Sequence, residues 1–131
     1  MIFGVGADIL RVDRVERMLQ RHGERFPKRI LTPLEWQRWE RVRGKKKNPA
    51  QYLAKRFAGK EAVAKALGLG LRPPANLSQI GIVNDPGGKP VVAPEENLRR
   101  WLEQNGVERV HVSLSDESDA VVAFAVAESG R

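Results

Sequence analysis

A mixed α+β fold, in which a mainly antiparallel sheet packs against one long helix, is predicted by three features of the amino-acid sequence. Residues 2–9 place Phe3, Val5, Ala7 and Ile9 on one face and Gly4, Gly6 and Asp8 on the other, the two-residue period of a strand. The middle of the chain holds its longest helical pattern, opened by Asn48-Pro49 and stopped by Gly68. Near the C-terminus, Val110, Val112 and Leu114 alternate with His111, Ser113 and Ser115, and a polar turn at 116–119 leads into the apolar run Ala120–Val126, the pattern of a hairpin. The chain has 131 residues, without an internal repeat or a long linker, so a single domain over 1–131 is expected.

The remaining elements follow in order. After the first strand, Val12, Val15 and Leu19 recur at helical spacing up to about Gly23, and Asp13 suits the first turn. Thr32-Pro33-Leu34-Glu35 combines an N-cap threonine, a proline at the first helical position and a capping-box glutamate, opening a helix to about Arg43. A basic loop, Gly44-Lys45-Lys46-Lys47, precedes the long helix. The glycine- and proline-rich stretch 68–74 reads as a loop. Ile80–Val83, a turn over 84–90 and Val91-Val92 read as two short strands, and Pro94 is expected to start a helix carrying Leu98, Trp101 and Leu102 as far as Gly106.

Composition narrows the function. There is no cysteine, which excludes a disulfide framework, a thiolate nucleophile, an iron–sulfur cluster and a zinc finger. Any metal must be held by oxygen or histidine. The N-terminal residues lack a basic leader and no apolar run reaches ~18 residues, so a cytoplasmic protein without a membrane span is expected. A net charge of +7 points to an anionic partner: a nucleic acid, a phosphorylated small molecule or an acidic protein. Only 6% of residues are aromatic and no stacking motif is interleaved with the basic residues, which makes nucleic acid the weaker choice.

Two carboxylates stand out. On the long helix, Leu53, Phe57, Ala64 and Leu67 form an apolar stripe that passes over Glu61, and a charge on a buried face requires a cation, a metal or protonation. The plainer account is a surface pair with Lys65, four residues on, worth ~0.3–0.5 kcal/mol. Asp8 ends a strand face whose other members, Gly4 and Gly6, leave room for another group to approach; as a plainer alternative it caps a turn. Two hard-oxygen ligands suit Mg²⁺, which commonly takes one or two carboxylates together with waters and substrate phosphates. Lys65 is then placed to neutralise phosphate charge, and the whole suits pyrophosphate handling. Neither a P-loop nor a complete dinucleotide fingerprint is present. His111 suits a general base, a phosphate contact or a hydrogen-bonded structural role. Arg14, Arg17, Arg21 and Arg25, at spacings of three, four and four, form a basic ridge on the first helix that suits an acidic helix or simply solvent.

Taken in order, Gly4-Val5-Gly6-Ala7-Asp8-Ile9, Arg14-Val15, Arg29-Ile30-Leu31-Thr32, the stretch from Arg56-Phe57 through Lys60-Glu61-Ala62 to Gly68, and His111-Val112-Ser113-Leu114-Ser115 resemble the holo-(acyl carrier protein) synthases. These are phosphopantetheinyl transferases, and the resemblance covers nearly the whole chain. It implies transfer of the phosphopantetheine arm of coenzyme A to a serine of an acidic apo acyl carrier protein, for fatty acid biosynthesis, with release of adenosine 3′,5′-bisphosphate. By the same resemblance Asp8 and Glu61 are Mg²⁺ ligands and Lys65 meets the coenzyme A phosphates. Gly68 and His111 join Lys65 in holding coenzyme A, and Arg14, Arg17, Arg21 and Arg25 receive the carrier. The resemblance also implies a homotrimer with active sites at its interfaces. Glu61, a metal-held water and His111 all remain candidates for the base. Three positions depart from the family pattern: Asp116 where many members have histidine, Gly59 where alanine is common, and Leu69 where threonine is frequent. The alternative from another class is a non-catalytic basic module that binds RNA or ribosomes, which accounts for Lys45–Lys47 but not for Asp8 and Glu61.

Overall fold

Glycine decides how the first strand meets the long helix. In the computed structural model, which describes residues 1–45 and 48–130, β1 (Ile2–Arg11) lies against α4 (Pro49–Ala66). A Cβ on Gly4 would collide with the carbonyl oxygen of Ala66, and one on Gly6 with that of Ala62. The face that the sequence leaves open is therefore filled by the helix backbone itself. The opposite face of β1 is turned outward, with Val5 54% and Ile9 70% exposed.

Between them run α1 (Val12–His22), α2 (Arg25–Ile30) and α3 (Pro33–Val42). After α4 come a 3-10 turn (Leu77–Gln79), β2 (Ile80–Asn84), β3 (Pro90–Pro94), α5 (Glu96–Gln104), β4 (Val107–Asp116) and β5 (Ala120–Ser129). The α+β class with antiparallel strands packed on a long helix is borne out. The strands divide into two sheets: a three-stranded sheet ordered β1-β5-β4 and a separate β2-β3 ribbon, all antiparallel. Along β5, Val121, Ala123, Ala125 and Ala127 are fully buried toward α4, while Val122 and Phe124 face outward.

Several local expectations change. The short helix α2 carries no signal in the sequence, since Pro27 sits inside its six residues and leaves no room for a periodic pattern. It breaks the first helix after His22, where Gly23 takes φ +57°, so Arg25 opens α2 and leaves the ridge of Arg14, Arg17 and Arg21. Thr32 and Glu35 form the expected capping box, but Asn48 makes no side-chain cap bond before α4, which starts on Pro49 alone. Pro94 does not open α5; it ends β3 paired with Ile80, and the helix begins at Glu96. Gly59 fits its helix because β2 comes so close that a Cβ there would meet Ile82 Cδ1 at 2.5 Å. Of the basic loop, Lys45 is in an exposed turn and Lys46 and Lys47 lie outside the described residues. No described helix is long and apolar enough to cross a membrane.

Candidate active site

The close seat of α4 on β1 brings Asp8, Glu61 and Lys65 together. Lys65 Nζ donates to Ala7 O at 2.9 Å and to Asp8 Oδ1 at 3.3 Å. Its ion pair is thus with Asp8, not with Glu61 four residues earlier on the helix. Asp8 is largely enclosed, its side chain 15% exposed, while the lysine is half exposed. Glu61 does not interrupt a buried stripe as the apolar spacing suggests. Instead α4 is buried on nearly every side, and Phe57, Glu61 and Lys65 mark the strip along which it is most open. Partial burial pushes the Glu61 carboxyl above its ordinary range, and the Asp8 charge pushes it further, against the opposing pull of Lys65 and Arg14. Arg14, on the first turn of α1, therefore acts on the same site from the side of the basic ridge.

At Glu61, burial and the Asp8 charge outweigh the pull of Lys65 and Arg14, an imbalance that a hard cation would relieve. Among the described residues no third His, Cys, Asp or Glu completes a cluster. The donor set fits Mg²⁺ bound by one or two carboxylates, with water and phosphate oxygens supplying the rest.

Gly68 lies one turn beyond Lys65, ends α4 with φ +75° and donates its N–H to Lys65 O at 3.0 Å. His111 is not brought to this group within the chain. It projects from the outward face of β4, opposite Val126 of β5 and in contact with Glu128, whereas Asp8 projects from the inward face. The His111 imidazole holds the Glu128 carboxyl below its ordinary range. Arg14, Arg17 and Arg21 with Met18 and Gln20 line a shallow groove on α1.

Sequence reading missed three buried charges. Lys60 and Glu35 are both fully buried and paired at 2.5 Å. Burial lowers the Lys60 ammonium, and Glu35 opposes that shift. A capping glutamate and a lysine in a run of charged helix residues carry no sign of burial. Arg56, only 4% exposed, stacks over Tyr52 at 4.9 Å and donates from Nη2 to Asn84 Oδ1 at 3.3 Å. Its Nε and Nη1 have no acceptor among the described residues. Arg56 also lines a cavity of about 520 Å³ together with Arg38 and Arg41. The i,i+4 spacing of Arg56 and Lys60 was the one available signal that both share the buried side of α4.

The profile of the 4′-phosphopantetheinyl transferase superfamily matches residues 4–125, and the chain belongs to that family. Its relatives give the particular branch. The holo-[acyl-carrier-protein] synthase of Neisseria meningitidis serogroup A is 48% identical over 128 residues, 98% of this chain and 99% of that one. The crystal structure of a holo-[acyl-carrier-protein] synthase from Neisseria meningitidis superposes with a TM-score of 0.93 at 45% identity, covering 98% of this chain and all of the other. A holo-(acyl-carrier-protein) synthase of Bacillus anthracis, solved in complex with CoA (3′,5′-ADP), gives 0.81 at 33% identity over 99% of each chain.

Proposed function

We propose that this chain transfers the 4′-phosphopantetheine group of coenzyme A to a serine of an apo acyl carrier protein, releasing adenosine 3′,5′-bisphosphate. The carrying observation is the meeting of Asp8, Glu61 and Lys65 where Gly4 and Gly6 let α4 close on β1. The serine hydroxyl attacks the β-phosphate, and the bisphosphate leaves from the far side of that phosphorus. Negative charge grows on the leaving group, and Lys65, half exposed and anchored through Ala7 O, is the ammonium available to neutralise it. Asp8 and Glu61 would hold Mg²⁺, which when bound supplies further charge neutralisation at the phosphates. Glu61, set beside Asp8 and Lys65, is the group proposed to take the serine proton.

Arg14, Arg17 and Arg21 lead from solvent to this site, since Arg14 already acts on Glu61, and they suit the acidic surface of a carrier protein. Arg25, set apart on α2, belongs to the edge of that surface. The outward sheet face supports self-association as a homotrimer: it is apolar across β1 and β5, and His111, Ser113 and Ser115 border it on β4. Arg56 lies five residues before Glu61, ~140° around α4, so the arginine cavity and the carboxylates do not face each other within one chain. An interfacial site allows both, with Arg56 and His111 of one protomer serving the coenzyme A phosphates beside another protomer's Asp8. We place this transfer in fatty acid biosynthesis in the cytoplasm, as the resemblance to the holo-(acyl carrier protein) synthases implies.

The test is intact-protein mass spectrometry of apo acyl carrier protein after incubation with this protein, coenzyme A and Mg²⁺. The carrier should gain one phosphopantetheinyl group, and the gain should vanish with a chelator or in Glu61→Ala. Full activity in folded Glu61→Ala would defeat the site assignment. Binding that weakens with salt, with no transfer to several carriers, would instead favour an RNA-binding module.

A further inference from the structure

We propose that the buried Glu35–Lys60 ion pair is a positioning device for the active site: it sets the rotation of α4 about its own axis, and with it the separation of Glu61 from Asp8. The inference rests on the reading of Asp8 and Glu61 as the metal-holding pair.

Every proton of the Lys60 ammonium has an acceptor. It donates to Ile30 O at 2.6 Å, Glu35 Oε1 at 2.5 Å and Leu77 O at 2.9 Å. Those acceptors come from the end of α2, the first turn of α3 and the 3-10 turn. Glu35 in turn accepts from Thr32 N at 2.9 Å and from Ile82 N at 2.8 Å. One ion pair therefore ties α4 to four other segments, all through directional bonds. Stability does not require this arrangement, because well-packed apolar residues in place of a buried ion pair are often as stable or more so. Direction is what the apolar substitute lacks.

The rest of the α4 surface explains why direction matters. Toward β1 it meets Gly4 and Gly6 with its own backbone at Ala66 and Ala62. Toward β5 it meets Ala123, Ala125 and Ala127, all fully buried. These two surfaces carry few protruding side chains to interlock, and other directional ties of α4, from Gln51 and Lys55 to Asp116, from Arg56 to Asn84 and from Lys65 to Ala7 O, are made by less buried side chains than the Glu35–Lys60 pair. Glu61 follows Lys60 directly in the helix, with no flexible link between the anchor and the ligand. A rotation of about 20° at a side-chain radius of about 5–6 Å displaces a carboxylate by about 2 Å. A misplacement of about 1 Å is enough to cost on the order of 100-fold in rate.

The experiment compares wild type, Asp8→Asn and the neutral double variant Glu35→Gln/Lys60→Met. Each is followed by thermal melting, by electron paramagnetic resonance of Mn²⁺ binding in the presence of coenzyme A, and by steady-state kinetics. The folded double variant is expected to bind Mn²⁺ about tenfold more weakly and to lose about tenfold in kcat, while KM for the carrier protein, set by α1, is unchanged. Mn²⁺ affinity and kcat within about twofold of wild type in the folded double variant would overturn the proposal and leave the pair a purely structural role. Should the double variant not fold, Glu35→Asp keeps both charges while drawing the carboxylate back by one methylene. It carries the same comparison: weaker Mn²⁺ binding supports the proposal, and wild-type binding overturns it. Wild-type protein that binds Mn²⁺ no better than Asp8→Asn would overturn the metal reading itself, an outcome separate from the other two.

Discussion

Arg56 keeps two donor nitrogens, Nε and Nη1, without an acceptor among the described residues while almost fully buried, beside Arg38 and Arg41. A buried, unmatched guanidinium is costly unless an anion completes it. Arg56→Gln is therefore expected to raise KM for coenzyme A about tenfold or more, the loss of a charge-assisted contact worth ~1.5–3 kcal/mol, with little change in the Mg²⁺ requirement. Initial rates at varied coenzyme A check this. Lys60→Met poses the complementary problem, for it leaves Glu35 buried without its cation and should destabilise the fold by about 3–5 kcal/mol. Thermal and chemical denaturation of the variant against wild type measure that loss. At this scale the sequence was informative where a residue broke a pattern. Asp8 stood beside two glycines and Glu61 among apolar neighbours. Lys60 and Glu35 broke none, because each sits at a position where a charge looks ordinary and only the approach of β2 and the 3-10 turn buries it.

Elements were legible where local chemistry decides them. The capping box of α3, the Pro49 start and Gly68 stop of α4 and the β4-β5 hairpin all follow from nearest-neighbour rules. Those that depend on distant partners were not: α2 has no pattern of its own, and Pro94 was available to a strand end as well as to a helix start. Gly59 shows the same divide. Helix propensity alone makes it a defect of ~1 kcal/mol, yet Ile82 Cδ1 occupies the space that an alanine methyl needs. Gly59→Ala should then gain less than that propensity or destabilise, and Ile82→Val, costing ~0.5–1.5 kcal/mol alone, should cost little or nothing in the Gly59→Ala background. A double-mutant cycle by chemical denaturation measures the coupling, and additive effects would mean that Ile82 moves aside freely. On α1, Arg17→Glu/Arg21→Glu should raise KM for the carrier about tenfold or more and reduce its salt dependence, with KM for coenzyme A held. Kinetics at two salt concentrations separate docking from chemistry.

At the scale of the whole molecule, the decisive feature is that the sheet has two apolar faces and only one helix layer. The sequence showed Phe3, Val5, Ala7 and Ile9 on one side of β1, a pattern that by itself reads as the buried face. The structure gives the inward side to glycine and Asp8 and turns Val5 and Ile9 outward. Cross-strand register extends that outer face: Val5 lies opposite Val126, Ala7 opposite Phe124 and Ile9 opposite Val122. With Phe124 and Val122 each 46% exposed, a monomer would present a continuous apolar strip to water. In the proposed trimer, further copies of the chain would offset that cost by covering the strip and would bring the border residue His111 next to a neighbour. Phe124→Glu places a charge at the middle of the strip without touching the buried side of β5, so the monomer should keep its secondary structure. Sedimentation velocity is expected to show wild type as the proposed trimer and the variant as a monomer, and phosphopantetheinyl transfer should fall in the variant although Asp8, Glu61 and Lys65 are intact. A variant that sediments as a monomer yet transfers at the wild-type rate would place the complete active site within one chain. Arg56 would then have to reach the coenzyme A phosphates from its own side of α4.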